Sequence, residues 1–239
     1  MKLKRTLLSQ PFRPWSYPLA LGVLLLFLIC SSFLWAQNKY AGFLTASREQ
    51  VFEKHEYYRL FSTIAMHADI KHFLGNAIFF WIFGFLLYSY FGILWFPLLS
   101  LLIGGLINAL TLALYPPGVT LLGASGVVYF MAGAWATLFF LIERKSHWMK
   151  RALASVGVSL ILFFPTTYEP EVSYLAHALG FGVGIAVAFL YFKLRQDQIR
   201  KQEYWEMDWM ELILNKDAKT ETGLNASAEN ISFLDSEGE

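Results

Sequence analysis

Residues 73–142 form a stretch of seventy positions without a single Asp, Glu, Lys or Arg. A soluble domain carries roughly 25% charged residues, whereas this chain carries 15% and is 56% hydrophobic. One helical crossing of a bilayer needs about 20 apolar residues, so the stretch has the length of three crossings joined by short turns. The sequence therefore predicts a polytopic membrane protein.

Apolar segments of membrane-spanning length occur six times along the chain. We expect all of them to be α-helices, because a lipid-exposed backbone must satisfy its own hydrogen bonds and no alternating barrel pattern is present. The predicted fold class is an all-α bundle of six transmembrane helices. The expected spans are residues 17–36, 72–91, 93–115, 123–142, 152–168 and 173–192. They define a core of residues 17–195, flanked by an N-terminal segment, 1–16, and a tail, 196–239.

Basic residues are concentrated on one side of the predicted bundle. The segment before the first span, the turn between the fourth and fifth spans and the segment after the sixth hold 12 Lys and Arg, against five in loop 37–71. The positive-inside rule therefore places both termini in the cytoplasm. Loop 37–71 and turns 116–122 and 165–172 then face outward. A net charge of +1 gives no reason to expect a nucleic-acid partner.

The two ends of the chain need separate interpretation. No small-x-small cleavage site follows the first apolar segment, which predicts a retained span and not a signal peptide. Cys30 within it is expected to be a small buried hydrophobe. In the tail, Trp205, Trp209 and Leu212 have a helical spacing that fits either an interfacial helix or an exposed continuation of the sixth span. Acidic and small residues further on predict disorder.

Polar and ionisable side chains are rare in the predicted spans, and each is therefore a functional candidate. His72 and Asn76 open the second span, Ser125 opens the fourth and His177 lies near the start of the sixth. Taken singly, such residues more often pack helices together, and we interpret Asn108 in this way. The second, fourth and sixth spans run in the same direction, so the four candidates share one depth near the outer face. This convergence predicts a site that water can reach.

Small residues surround the hydroxyl of Ser125. Gly123 lies two positions before it and Gly126 directly follows it, at the expected start of a helix. Unpaired backbone N–H groups and the positive end of the helix dipole favour a developing oxyanion at such a position.

The sixth span carries a matching stripe of small residues. Gly180 and Gly184 lie below His177 and would let the sixth span approach the fourth closely. Close approach would bring the imidazole within hydrogen-bond range of Ser125, as a general base requires. Tyr129, one turn below the serine, faces the same seam and could hold the imidazole ring.

Other intramembrane chemistries fit the sequence less well. No Asp or Glu occurs inside a span, so neither a triad carboxylate nor an aspartyl protease pair has a candidate, and no His-Glu-x-x-His zinc motif is present. Lys145 follows Ser125 by 20 helical residues, roughly 30 Å, which excludes a Ser–Lys dyad. A Ser–His dyad remains, with His72 and Asn76 as possible donors to an oxyanion.

Three separated motifs occur in an order that resembles the rhomboid proteases. They are His67-x4-His72-x3-Asn76, Gly123-Ala124-Ser125-Gly126-Val127-Val128-Tyr129 and Ala176-His177-Ala178-x-Gly180-x3-Gly184. The resemblance covers roughly residues 17–195. It implies an intramembrane serine protease of the bacterial six-span type.

The resemblance also implies a role for individual residues. Ser125 and His177 would form the catalytic dyad, and His72, Asn76 and the Ser125 amide would contact the oxyanion. Tyr129 would stack on His177. No cofactor and no metal are implied.

Further expectations follow from the same resemblance. Substrates would be single-span membrane proteins whose helices unwind near small residues, and the location would be a bacterial inner membrane. Loop 37–71 would be the membrane-embedded first loop, in which Tyr58-Arg59 stands where many members carry Trp-Arg. His67 would have a structural role beside the site. Two alternatives stay open: a non-catalytic rhomboid-like protein that binds client transmembrane helices, and, less favoured, a small transporter. The oligomeric state is not indicated.

Overall fold

The structure, a computed structural model, describes residues 1–36, 41–163 and 173–207. Its α-helices are α1 (Ser16–Trp35), α2 (Arg59–Ser62), α3 (Ile70–Phe91), α4 (Ser100–Leu114), α5 (Ser125–Ile142), α6 (Trp148–Phe163) and α7 (Tyr174–Arg200). Its short strands are β1 (Lys2–Arg5), β2 (Ala46–Ser47), β3 (Thr120–Leu121) and β4 (Tyr204–Glu206). The strands form two antiparallel pairs, β1 with β4 and β2 with β3. The sequence did not predict either pair.

Five helical segments of the described chain are long and apolar enough to cross a membrane. They are Ser16–Trp35, Ile70–Phe91, Leu94–Leu114, Ser125–Ile142 and Tyr174–Arg200. Each coincides with a predicted span, so the prediction of a helical, multi-pass membrane protein is confirmed. The remaining predicted span, 152–168, overlaps α6, which has 16 residues. Residues 164–168 lie outside the described ranges, and the count of six spans stays a prediction.

The third predicted span is not one regular helix. A π-helical segment, Leu94–Leu99, precedes α4 and contains a non-helical residue, Phe96, at φ −138° and ψ 128°. The residue before a proline is disfavoured in the α conformation, and Pro97 follows directly. The bend turns the Phe96 ring toward α3, where a Cβ at Gly84 would lie 2.8 Å from it.

Helix α5 lies at the centre of the bundle. Most of its residues are buried, and it contacts α3, α4, α6 and α7. In contrast, α4 exposes a stripe of leucines at four-residue spacing, Leu102, Leu106 and Leu110, each about half exposed. Lipid tails are as apolar as leucine side chains, so this stripe suits a lipid-facing surface. Helix α5, which begins with Ser125, is therefore more buried than the other candidate spans.

The terminal segments and the α5–α6 turn meet at one end of the bundle. There β1 pairs with β4, and the Thr6 hydroxyl donates a hydrogen bond to the Glu143 carboxylate at 3.0 Å. At the opposite end β2 pairs with β3. Arg48 donates hydrogen bonds there to the carbonyl oxygens of Ala113, at 2.9 Å, and Tyr115, at 3.3 Å. The loop after α1 is thereby fastened to the segment that leads into α5.

The described part of the tail combines a continuation of the sixth span, one of the two predicted alternatives, with a short strand. Helix α7 continues the sixth span to Arg200, and the chain then turns into β4. Trp205 lies opposite Leu3 of β1, so the N-terminal segment supplies backbone partners that the spacing of tail residues alone does not reveal. Trp209 and Leu212 lie outside the described residues.

Candidate active site

Ser125 is the first residue of α5 and is half-buried. The residue before it, Ala124, offers no side-chain oxygen to cap the helix. Gly123 has φ +111°, a conformation that side chains other than glycine rarely adopt. The hydroxyl of Ser125 therefore lies among uncapped N–H groups at the positive end of a helix dipole. Such surroundings stabilise negative charge on a neighbouring oxygen.

His177 lies in the first turn of α7 and is buried, with 9% of its surface exposed. Ser173 caps this helix, since its Oγ accepts a hydrogen bond from the Ala176 backbone N–H at 3.2 Å. The same hydroxyl lies 2.8 Å from the Tyr115 hydroxyl, just after α4. The start of α7, and with it the position of His177, is thus fixed to the end of α4.

Glycines allow α7 to pack directly on the backbone of α5. A Cβ at Gly180 would lie 2.5 Å from the carbonyl oxygen of Gly126, and a Cβ at Gly184 would lie 2.2 Å from that of Phe130. Both distances are too short for any side chain. The small-residue stripe therefore brings the two helix backbones together, as its spacing indicated.

Tyr129 and His177 stack on each other, with ring centroids 4.0 Å apart and an interplanar angle of 11°. Tyr129 follows Ser125 by four residues, which places both on the same face of α5. The imidazole of His177 therefore lies on the helix face that carries the serine. The stack also fixes the plane of the imidazole.

Two polar side chains of α3 lie close to Gly123, two positions before Ser125. A Cβ at Gly123 would lie 2.8 Å from His72 Nε2 and 3.9 Å from Asn76 Nδ2. Asp69 caps α3 by accepting the His72 backbone N–H at 2.8 Å, and Asn76 Nδ2 donates to the His72 carbonyl oxygen at 3.1 Å. Helix α3 thus brings two nitrogen-bearing groups to the start of α5.

His67 connects α1 to the start of α5. It is 1% exposed, and its Nε2 accepts a hydrogen bond from the Ala124 backbone N–H at 3.4 Å. Its Nδ1 lies 3.2 Å from the Ser31 hydroxyl, which donates to the Ala65 carbonyl at 3.0 Å. Because Nε2 accepts, Nδ1 carries the proton of the neutral ring. Trp35 Nε1 donates to the His67 carbonyl at 2.9 Å.

The electrostatics of His67 follow from this enclosure. Burial, together with the nearby ionisable ring of His72, lowers the pKa of His67 to about 4. The two rings meet edge to face with centroids 5.2 Å apart. His67 is therefore neutral at pH 7 and acts here as a hydrogen-bonding support.

Arg59 is buried within the loop that joins α1 to α3. It is 3% exposed and donates hydrogen bonds to the carbonyl oxygens of Gly42, at 2.6 Å, and Thr45, at 2.8 Å, and to the Glu56 carboxylate. Its guanidinium lies 5.4 Å from the ring centroid of Tyr58. The guanidinium therefore holds separate parts of the loop after α1 together through their carbonyl oxygens.

Some supporting residues were not singled out from the sequence. The sequence around Ser31 in α1 gives no sign of a role beside the site, because a serine in a membrane span usually serves to pack helices together. The Thr63 carbonyl accepts the Gly123 N–H at 3.0 Å, a contact between distant loops. A Cβ at Gly133 would lie 2.4 Å from the Phe181 carbonyl oxygen. Gly133 follows Gly126 by seven residues, a spacing that places both glycines on the face of α5 that packs on α7, and the sequence alone could have indicated this.

Asn108, interpreted from the sequence as a packing residue, anchors the loop. Its Nδ2 donates to the Leu60 carbonyl oxygen in α2 at 2.9 Å, and it is 7% exposed.

The converging groups are those of acyl-transfer chemistry: a hydroxyl at a helix start, an imidazole on the facing helix and polar N–H donors beside them. Among the residues that the structure describes, no group of three or more His, Cys, Asp or Glu could hold a metal ion.

Comparison with known proteins gives two matches. The family model of the rhomboid domain matches residues 54–194. The Arabidopsis thaliana protein named "RHOMBOID-like protein 1" is 29% identical over 146 residues, which cover 59% of this chain and 36% of that relative. The matched stretch thus spans about a third of the relative's length. The family model covers more than half of the chain and includes every converging residue described above, and the chain therefore belongs to the rhomboid family.

Proposed function

We propose that this protein is an intramembrane serine protease that cleaves single-span membrane proteins by a Ser125–His177 dyad. The observation that carries the proposal is the stack of His177 on Tyr129, at 4.0 Å. It holds a base on the α5 face that carries the serine, while the Gly180–Gly126 contact keeps the helices close.

In the proposed reaction Ser125 Oγ attacks the scissile carbonyl carbon while His177 takes the hydroxyl proton. His177 then gives that proton to the leaving amine as the peptide C–N bond breaks, which leaves an acyl-enzyme. The same imidazole then takes a proton from water, whose oxygen attacks the ester carbonyl carbon. It returns that proton to Ser125 Oγ as the ester C–O bond breaks, which restores the serine and releases the new carboxyl terminus. No carboxylate partner is needed, because the stack on Tyr129 orients the ring.

The oxyanion would be stabilised from two elements. His72 and Asn76 reach the start of α5 from α3, and the Ser125 amide lies at the positive end of its own helix. Because Gly123 has no side chain, the space beside His72 Nε2 stays open for the substrate carbonyl. Donors fixed before the reaction lower the barrier, since they need no reorganisation in the transition state.

The proposal includes a topology and a location. Six spans would place both termini in the cytoplasm and the site near the outer face of a bacterial inner membrane. Substrate helices with small residues near their outer end would unwind there and enter the site. The grouping of both terminal segments with the α5–α6 turn at one end of the bundle supports this arrangement.

The deciding experiment compares variants on a single-span substrate. We expect Ser125→Ala and His177→Ala, purified in detergent and reconstituted in proteoliposomes, to show no cleavage above background. Ser32→Ala is the matched control, because Ser32 is an exposed α1 serine that only bonds to Ile29. Equal cleavage by wild type and Ser125→Ala would refute the protease and leave the non-catalytic client binder.

A fluorophosphonate probe gives an independent test. We expect the probe to label the wild type and Ser32→Ala but neither Ser125→Ala nor His177→Ala. Asn76→Ala should keep the labelled serine while the cleavage rate falls by about 10²–10³-fold, the usual effect of removing one oxyanion donor.

A further inference from the structure

A polar cavity of about 270 Å³ lies at the end of the bundle where β1 pairs with β4. Three parts of the chain form its walls: the segment before α1, the end of α3 and the last turns of α7. Its polar lining includes Gln10, Arg13, Tyr90, Arg195, Gln198 and Gln202. The proposed active site, at the start of α5, does not contribute to it.

Two arginines in this cavity lack acidic partners. Neither Arg13 nor Arg195 forms a salt bridge within the described part of the chain, and Arg195 donates only to the neutral Gln198, at 2.8 Å. The Arg13 guanidinium sits where a side chain at Gly92 would be, since a Cβ there would lie 2.4 Å from Nη1. Gly92 has φ +81°, so both its conformation and its lack of a side chain make room for the cation.

Nearby carboxylates are already paired with other cations. Glu203 forms salt bridges with Arg200, at 3.0 Å, and Arg144, at 3.3 Å. Glu206 pairs with Lys4 at 2.7 Å. The positive charge of the cavity is therefore not neutralised by Glu203 or Glu206. Asp197, two residues after Arg195 in α7, is not part of the cavity lining and forms no salt bridge with either arginine among the described residues.

The cavity lies at the ends of helices that are long and apolar enough to cross a membrane. Its walls are formed where α1 begins and where α3 ends, both candidate spans, and by the later turns of α7. Tyr90, which lines it, stacks on Trp135 with ring centroids 5.8 Å apart. The headgroups border the hydrocarbon core that such helices cross, so a phosphate at that depth is within reach of the cavity.

We propose that this cavity binds the headgroup phosphate of an acidic phospholipid. Arg13 and Arg195 would contact the phosphate oxygens, for which guanidinium forks have suitable geometry. Gln10 and Gln202, joined by a hydrogen bond of 2.6 Å, would face the polar remainder of the headgroup. The bound lipid would join the N-terminal segment to α7. The inference is independent of the proposed protease activity.

Native mass spectrometry of the full chain in detergent tests the proposal. The probes are phosphatidylglycerol, which is acidic, and phosphatidylcholine, which has no net charge. We expect Arg13→Gln with Arg195→Gln to weaken phosphatidylglycerol binding by roughly thirtyfold, at about 1 kcal/mol per arginine. Phosphatidylcholine binding should not change. Lys150→Gln is the control, since it removes one positive charge, as each arginine substitution does, from an exposed position at the same end but outside the cavity.

Three results would overturn the proposal. One is unchanged phosphatidylglycerol binding in the double glutamine variant, and another is an equal loss in Lys150→Gln. The third is displacement of the lipid by millimolar inorganic phosphate, which would assign the cavity to a soluble anion. Arg13→Lys with Arg195→Lys should keep most of the binding and so separates loss of charge from loss of folding. Unchanged melting temperatures of all variants complete the test.

Discussion

Gly180 is the residue at which α7 comes closest to the start of α5. A methyl group there would meet the Gly126 carbonyl oxygen at 2.5 Å and the Tyr129 Cβ at 3.3 Å. We expect Gly180→Ala to push the helices apart, to destabilise the protein by about 1–3 kcal/mol and to lower the cleavage rate. The change moves the His177 ring away from the serine face without removing either reacting group.

The same helix offers a matched control for this substitution. A Cβ at Gly182 would have no atom within 4 Å, so Gly182→Ala should keep both the wild-type melting temperature and the wild-type rate. Equal effects of the two substitutions would show that loss of glycine flexibility, and not the helix contact, matters at Gly180.

His67 provides a pH-dependent contribution to stability. Its pKa is lowered from an ordinary 6.5 to about 4, so between these values the unfolded chain binds more protons at this position than the folded one. The stabilisation is fully present above about pH 6.5 and is lost as the pH falls toward 4, by about 3 kcal/mol.

Thermal unfolding of wild type and His67→Gln measures this effect. The melting temperature of the wild type should be clearly higher than that of the variant at about pH 7.5. The difference between the two melting temperatures should be smaller at about pH 4.5. A difference that does not depend on pH would contradict the assignment of a buried neutral imidazole.

Among the elements, the loop that joins α1 to α3 depends on Arg59 for its shape. The guanidinium satisfies the carbonyl oxygens of Gly42 and Thr45 in a nearly water-free position. Arg59→Ala should therefore cost about 2 kcal/mol or more, because buried acceptors lose their donors. The stability of Arg59→Lys should lie between those of the wild type and Arg59→Ala, since lysine keeps the charge but lacks the planar guanidinium fork.

Melting temperature and cleavage rate report on this loop together. Lys54→Ala, on the exposed part of the same loop, is the control and should leave both unchanged. An Arg59→Ala protein as stable as the Lys54→Ala protein would show that the loop does not depend on the buried guanidinium.

The elements also show where periodicity alone falls short. The sequence predicted a continuous span through residues 93–115, but Pro97 bends the segment at Phe96. The tail was predicted as an interfacial helix or a continuation of the last span, yet Trp205 lies in a strand beside Leu3. The first difference has a local cause, the proline that follows Phe96, whereas the second arises from a strand partner that is remote in the sequence.

For the whole molecule, the proposed topology makes a labelling prediction. Cys30 is the single cysteine, so Cys30→Ser gives a background without thiols. In that background Lys54→Cys should react with an impermeant maleimide only from outside, and Lys2→Cys only from the cytoplasm. Labelling of both positions from one side would contradict a first span that crosses the membrane from a cytoplasmic N-terminal segment.

The sequence by itself determined the fold class and the candidate residues. A charge-free stretch of residues 73–142 can only be accommodated by lipid or by a very large core, and hydrogen-bond satisfaction in lipid then requires helices. The motifs around Ser125 and His177 were readable for the same reason, since polar groups in spans are costly and therefore few.

The packing of the helices sets how these groups meet. The stack of Tyr129 on His177 was expected from their positions and from the family resemblance, but its distance and angle come from the packing of α5 on α7. No spacing in the chain indicates that His67 links Ser31 to Ala124, or that β1 pairs with β4 to close one end of the bundle. Each contact joins residues whose separation depends on how the helices pack. Helix packing depends on side-chain shape on both partners, whereas a sequence pattern describes only one helix at a time.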